Sequence, residues 1–289
     1  LRDLLSGTDP QIKAAISVIV QAQPDILLLT GVDHDHDLLA LRALADSLAE
    51  AGHGFDHLLA PAQNSGRITA LDLDGDGQLG TPEDAQGYGR FSGARAMALL
   101  SRYPVALTRD LTDVLWADLP GGRMPDTAPE VRAVQRLSST GHWLVRADLT
   151  GGALHLALWS ATPPLFGTGS RNRDRNHDET ALWLTLLDQG GGLPAPFVIM
   201  GLANTDPAAG AGDKAALGAL LGHPAIGPAP SDPTFRGRDT RLRLSYLLPS
   251  ADLTMIASGT VSPDSGLVPP DLVEQASRHW LVWADLGLR

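Results

Sequence analysis

Asp72, Asp74 and Asp76 alternate through DLDGDGQLGTPE, residues 72–83. They fall at positions 1, 3 and 5 of a twelve-residue calcium loop. Gly77 supplies the turn at position 6, Gln78 a backbone carbonyl at 7, Leu79 an apolar anchor at 8, and Glu83 a bidentate carboxylate at 12. A hard cation takes oxygen ligands, so the spacing predicts a Ca²⁺ site made by Asp72, Asp74, Asp76, Gln78 and Glu83. The flanks do not read as two helices, and Pro82 sits where the second should begin. A solvated acidic turn is therefore the competing reading.

Three further stretches carry reactive side chains. RNRDRNHDE, residues 171–179, offers Arg171, Arg173 and Arg175 as anion ligands, because a guanidinium meets a phosphate or carboxylate as a fork. The plainer reading is an ion-pair network that fixes a long loop. His177 invites a His-Asp-Glu catalytic arrangement, whereas a helix cap at Asp178 with Glu179 in the first turn explains the same residues. DHDHD, residues 33–37, offers His34 and His36 to a transition metal, but a solvated loop is the simpler account. In FVIMGLANTDP, residues 197–207, an apolar run ends at Gly201 and polar residues follow, which is where rigid scaffolds present their chemistry. The first residue past the glycine is Leu202, where a metal or a base needs a carboxylate.

Elements must hold these stretches in place. Thr8-Asp9-Pro10 caps and opens a helix with Ile12, Ala15, Ile16 and Ile19 at helical spacing. DLLALRALADSLAEAG reads as an amphipathic helix closed by Gly52. PDILLL and AMALLS read as strands, and HWLVRADL and ALHLALWS flank Thr150-Gly151-Gly152 as a hairpin. A helix over ETALWLTLLDQ, a strand at PFVIMG, a short helix at DKAALGALLG and late strands at TRLRLSYLLP, LTMIASG and HWLVWADL complete the pattern. PFVIMG and HWLVWADL are expected to be buried. Long Gly/Pro loops are expected at 61–95, 161–177 and 223–240. Hairpins outnumber simple crossovers, which predicts mixed sheets with helices outside, in one domain over residues 1–289. On the last strand Trp280 and Trp283 lie three apart and so face opposite sides.

The chain has 289 residues, 43% of them hydrophobic, enough for a sizeable core. A net charge of −11 argues against nucleic acid or an anionic membrane as the main partner. With no cysteine, disulfides, thiolate catalysis and Cys-ligated zinc are excluded. No apolar run reaches the length of a membrane span. The chain begins at Leu1 without a signal peptide, which reads as a processed or trimmed product.

PDILLLTGVD, NSGRITALDLDGDG, GYGRFSGARAMALLSRYPV, TPPLFGTGSRNRDRNHDE, FVIMGLANTDP, LRLSYLLPSADL and SRHWLVWADL occur in an order that resembles the endonuclease/exonuclease/phosphatase superfamily, from about Leu1 to Arg289. The similarity is greatest to an exported bacterial phosphoesterase-like branch. The resemblance implies a DNase I-like four-layer α/β/β/α sandwich. Active members of that family cleave phosphoesters with a divalent metal, usually Mg²⁺, and a His/Asp pair.

Carried over residue by residue, the resemblance puts the metal-holding glutamate at Gly31 and the phosphate-facing histidine at Ser160. The aspartate of the family's GD-N motif falls at Leu202, with its asparagine kept as Asn204. A further aspartate falls at Ser245, and the last aspartate-histidine pair at Arg278 and His279, of which only the histidine is kept. The family's first strand has no counterpart in this chain. These replacements imply that Mg²⁺ is not held at the family site and that no catalytic residue remains. The family also has a basic loop near its site, so Arg171, Arg173, Arg175 and Arg278 are candidates for a retained anion site. The expectation is a pseudoenzyme reused for binding or a structural role in an assembly. A slot is expected where the first strand is missing, filled by a cleaved segment or by a strand from a protein partner. The alternative is an active metal-dependent phosphoesterase or nuclease with a relocated site among Asp33, Asp35, Asp206, His177 and His279.

Overall fold

The computed structural model describes residues 2–167, 169–190 and 192–288. In chain order the first elements are α1 (Arg2–Ser6), α2 (Pro10–Ala22), β1 (Ile26–Val32), α3 (Leu39–Glu50), β2 (His57–Leu59), β3 (Ala96–Ser101) and β4 (Val105–Asp110). Next come α4 (Pro129–Arg132), β5 (His142–Leu149), β6 (Gly152–Ser160), α5 (Arg171–Asp188), β7 (Phe197–Leu202) and α6 (Ala215–Leu221). The chain ends with β8 (Phe235–Arg236), β9 (Arg241–Leu242), β10 (Ser245–Pro249), β11 (Thr254–Val261), α7 (Pro270–Ala276) and β12 (Leu281–Gly287).

Period-two patterning sorts the strands into layers. Along β3, Met97 and Leu99 point into a core between two sheets, whereas Ala98 and Leu100 meet the outer helices α2 and α3. Along β6, Leu154, Leu156 and Leu158 enter the same central core, whereas Ala157 and Trp159 pack against α5 and α6. One sheet therefore runs β10-β7-β6-β5-β4, and facing it are β1-β3-β2 and the separate hairpin β11-β12. Helices cover both outer faces, which gives the α/β/β/α sandwich of the DNase I-like fold. Pairing is antiparallel except between β6 and β7, which α5 connects as a crossover. Leu149 pairs with Gly152, so Thr150 and Gly151 form the predicted two-residue hairpin turn.

Several expectations change. The helix predicted to start after Asp178 starts at Arg171, so residues 171–177 are helical rather than loop. Trp280 is 4% exposed, in a cluster with Ala14, Val18 and Val273 of α2 and α7, and also lines the cavity beside β12. The strand at PFVIMG is buried over Phe197–Ile199, but every residue of β12 stays partly exposed or exposed. β1 is the edge of its sheet and β12 the edge of its hairpin, and a cavity of about 1130 Å³ lies against both.

Candidate functional site

Register brings the family-site positions together. Leu202 lies beside Ser160 of β6 on one side and Ser245 of β10 on the other, so the three form a row across adjacent strand ends. Gly201, just before, is required by packing. Its φ is +157°, and a Cβ there would stand 1.9 Å from the Trp159 carbonyl oxygen. Asn204 has a left-handed backbone, φ 55°, and its side-chain amide donates to the Ala161 carbonyl at 2.7 Å. Gly31, Ser245 and His279 line one end of the cavity. At Gly31, φ is +80° and the pairing with β3 slips by one residue. The backbone there suits glycine, and a glutamate would be strained even with open space around its Cβ.

The histidine at this site is electrically unusual. Burial, then Arg278, then Arg95 lower the His279 pKa from 6.5 to about 4, so the ring is neutral at pH 7. Its ring packs on Phe235 with centroids 4.6 Å apart, and its buried Nδ1 has no hydrogen-bond partner. The Arg278 guanidinium lies over the Phe235 ring, 5.0 Å from its centroid, and its Nε donates to the Arg236 carbonyl at 3.3 Å. Arg95, on the loop before β3, adds its charge to the site. This donor set does not fit Mg²⁺: glycine, leucine and two serines supply no carboxylate, and the charges acting on His279 are those of Arg278 and Arg95.

The acids offered for a relocated site are occupied separately. Asp35 caps α3, accepting from the backbone N–H of Leu39 at 2.7 Å and of Ala40 at 3.0 Å. Asp33 accepts from the Arg95 N–H at 3.1 Å. Asp206 accepts from the N–H groups of Ala208, Ala209 and Arg243, which help to hold its pKa down. His34 Nε2 meets the Ala60 carbonyl at 3.0 Å.

The basic stretch 171–179 is a structural hub. Arg175 is fully buried and donates to the carbonyls of Gln86, Arg136 and Leu137. Burial lowers its pKa to about 10, so it stays charged at pH 7. Asn176 donates to the carbonyls of Thr162 and Ala203, each at 2.7 Å, and accepts from the Thr205 hydroxyl at 2.5 Å. Asp178 is no cap: its carboxylate accepts from Trp116 Nε1 at 2.7 Å and the Arg123 N–H at 2.5 Å, and meets His177 Nδ1 at 2.8 Å. Glu179 accepts from Ser139 N–H, Ser139 Oγ and Thr162 N–H, all at 2.6 Å. Arg173 is exposed.

Of the expected carboxylates in the acidic loop, Asp72 and Asp74 come together, joined by Asp84 rather than by Asp76 or Glu83. Asp72, Asp74 and Asp84 each bring a carboxylate oxygen within 4.8 Å of the others. The 3₁₀ turn Pro82–Asp84 points Asp84 inward, where it accepts from Leu73 N–H and Thr81, and leaves Glu83 exposed. Asp76 turns to Gln78 instead, accepting from its N–H at 2.7 Å and its amide at 2.8 Å. Burial, then Asp76, push the Asp74 carboxyl up, with Asp72 and Asp84 adding to it. The Arg171 guanidinium, itself held down by burial, feels the charges of Asp74 and Asp84.

The sequence model of the endonuclease/exonuclease/phosphatase family matches residues 4–279. No curated protein matches the chain significantly. Among solved structures, an endonuclease/exonuclease/phosphatase from Beutenbergia cavernae DSM 12333 superposes with a TM-score of 0.59 at 18% identity, over 97% of this chain and 66% of that one. A family protein from Leptotrichia buccalis C-1013-b gives 0.57 at 13% identity, over 96% and 93%. One from Bacteroides vulgatus gives 0.55 at 12%, over 97% and 91%. At these identities the likeness concerns the fold.

Proposed function

We propose that this chain, which belongs to the endonuclease/exonuclease/phosphatase family, is a pseudoenzyme: a phosphoesterase fold used for binding or scaffolding in an assembly rather than for hydrolysis. The observation that carries the reading is the row Ser160, Leu202 and Ser245, closed by a neutral His279 between Arg95 and Arg278. A phosphoester reaction of this class needs concentrated negative charge to hold its metal and a base to take a proton from water. The family-site positions supply no carboxylate, and His279, lowered to about 4, is a weak base. The reading includes Ca²⁺ at Asp72, Asp74 and Asp84 as a stiffener of loop 61–95, where a bound cation would relieve the like-charge crowding around Asp74. It also includes an exported setting.

The test is turnover. Purified protein is incubated with phosphomonoester, phosphodiester and DNA substrates in Mg²⁺, Mn²⁺ or Ca²⁺, and no hydrolysis above background is expected. Metal-dependent turnover that His279→Ala abolishes would refute the proposal and restore the reading as an active enzyme.

A further inference from the structure

A second cavity, of about 490 Å³, lies where the approach to β8, the start of β9, the end of β11 with the loop after it, and the start of β12 meet. Ser160, Leu202, Ser245 and His279 do not line it, so it is separate from the family site. Trp283 supplies an indole to its wall. That ring has room because Gly259 stands opposite it on β11, where a Cβ would come within 3.3 Å of the indole. Arg241 lies over the Trp280 ring, 5.4 Å from its centroid, and is ion-paired with Asp264. Asp232 adds an exposed carboxylate and Ser262 a hydroxyl. Thr260, also in the wall, is 7% exposed, yet its Oγ1 has no hydrogen-bond partner among the described residues. Trp283 Nε1 has none either.

We infer that this cavity binds a neutral saccharide, with hydroxyls toward Thr260, Ser262 and Asp232 and a C–H face on Trp283. The wall chemistry decides between ligand classes. An anion is disfavoured, because one arginine stands against two aspartates and that arginine is already paired. An organic cation would seek an indole face, but Arg241 occupies that place over Trp280. A purely apolar molecule would cover the carboxylates and the Thr260 hydroxyl and offer them nothing. A sugar meets each demand. Its hydroxyls both donate and accept, so they satisfy a carboxylate, a threonine hydroxyl and an indole N–H at once. Its ring carbons cover apolar surface on Trp283 and Leu267. The volume lies within the range of small-molecule sites. The inference concerns a different surface from the proposed loss of hydrolysis and stands whether or not the chain turns over phosphoesters.

The probes are the methyl glycosides of glucose, galactose, mannose and N-acetylglucosamine, titrated singly into the protein and followed by NMR. At least one is expected to shift the Trp283 indole N–H resonance, assigned with Trp283→Phe, and to saturate below ~10 mM. Asp232→Asn changes an exposed side chain and leaves the fold alone, and it is expected to weaken that binding at least tenfold. Thr260→Val keeps the branched shape and removes a hydroxyl that has no partner in the protein. It is therefore expected to leave Tm unchanged or higher while weakening the glycoside about threefold or more. Sodium sulfate and tetramethylammonium chloride are expected to leave the Trp283 resonance in place. Three results would overturn the inference: no saturable shift with any of the four glycosides, binding that neither Asp232→Asn nor Thr260→Val weakens, or a Trp283 shift produced by sulfate or tetramethylammonium and by no glycoside. Phosphoesterase assays enter none of these outcomes.

Discussion

Replacing Glu179 by alanine should come close to unfolding the protein, because of the buried donors its carboxylate satisfies. The carboxylate is fully buried and satisfies three donors at 2.6 Å: Ser139 N–H, Ser139 Oγ and Thr162 N–H. Each buried donor left without an acceptor costs ~1–3 kcal/mol, so the orphaned set amounts to ~3–9 kcal/mol before relaxation. Arg175, also buried, loses the carboxylate whose charge raises its pKa. Domains of ordinary stability have ~5–15 kcal/mol in hand. We therefore expect Glu179→Ala to lose about 5 kcal/mol in urea denaturation at pH 7. Glu179→Gln, which keeps one acceptor but turns an NH₂ toward one donor, should lose ~2–3 kcal/mol. Burial, the largest influence, pushes the Glu179 carboxyl up against the pull of Arg175 and the three donors. A carboxyl whose folded pKa is raised favours the folded state while protonated. Its contribution falls as pH climbs from its ordinary 4.5 toward the folded value, and Glu179→Gln should flatten that part of the stability profile. An alanine variant within 1 kcal/mol of the parent, at unchanged m, would show that the hub is dispensable and that its bonds are replaced by water.

Calcium should raise Tm through Asp72, Asp74 and Asp84. The calcium-induced shift should vanish in Asp72→Asn and Asp84→Asn and survive in Glu83→Gln; no shift at millimolar Ca²⁺, or loss of the shift in Glu83→Gln, would dismiss the site. His279 should titrate near 4 by NMR, with Arg278→Ala raising its midpoint only modestly because burial is the larger cause; a midpoint near 6.5 would contradict the packing. His142, fully buried, is lowered to about 4 in the same way. Since both are proton-poor when folded, their contribution is intact above 6.5 and lost as pH falls toward 4, at up to ~3 kcal/mol each.

Strands and hairpins were legible because their signals are local. Thr150-Gly151 makes a two-residue turn, and Leu154, Leu156 and Leu158 alternate with Ala157 and Trp159 whatever surrounds them. The start of α5 was not legible. Arg171–Asp178 has no apolar stripe, and Asn, Asp and His favour caps and loops. The segment is helical because Arg175, Asn176, Asp178 and Glu179 find partners on other loops, which are known only once the chain has folded. In the acidic loop the spacing pointed to Glu83, but the Pro82–Asp84 turn is too tight for it to face inward. The row at Ser160, Leu202 and Ser245 was reachable only through resemblance, since neither serine nor leucine announces a site.

On the proposed reading, that row is where chemistry would be lost while the scaffold stayed. The hub on α5 is tied into four loops, so its residues cannot change without cost to the fold. Side chains at 202 and 245 answer only to the site, and once no metal is held, acids there are a liability. Residues 202 and 245 are directly paired on β7 and β10. Carboxylates at such positions would stand ~5 Å apart. At that distance two like charges repel by ~1–3 kcal/mol for effective dielectric constants between water and a protein surface. Leu202→Asp and Ser245→Asp should therefore be more destabilising together than the sum of the singles, by about 1 kcal/mol or more in metal-free urea denaturation at pH 7. The excess should disappear at pH 3, where both acids are protonated, and shrink in millimolar Mg²⁺ if the pair recovers any hold on a hard cation. Additivity within ~0.5 kcal/mol at pH 7 would mean that the two side chains do not meet, and that the row read from the strand register is not one electrostatic site.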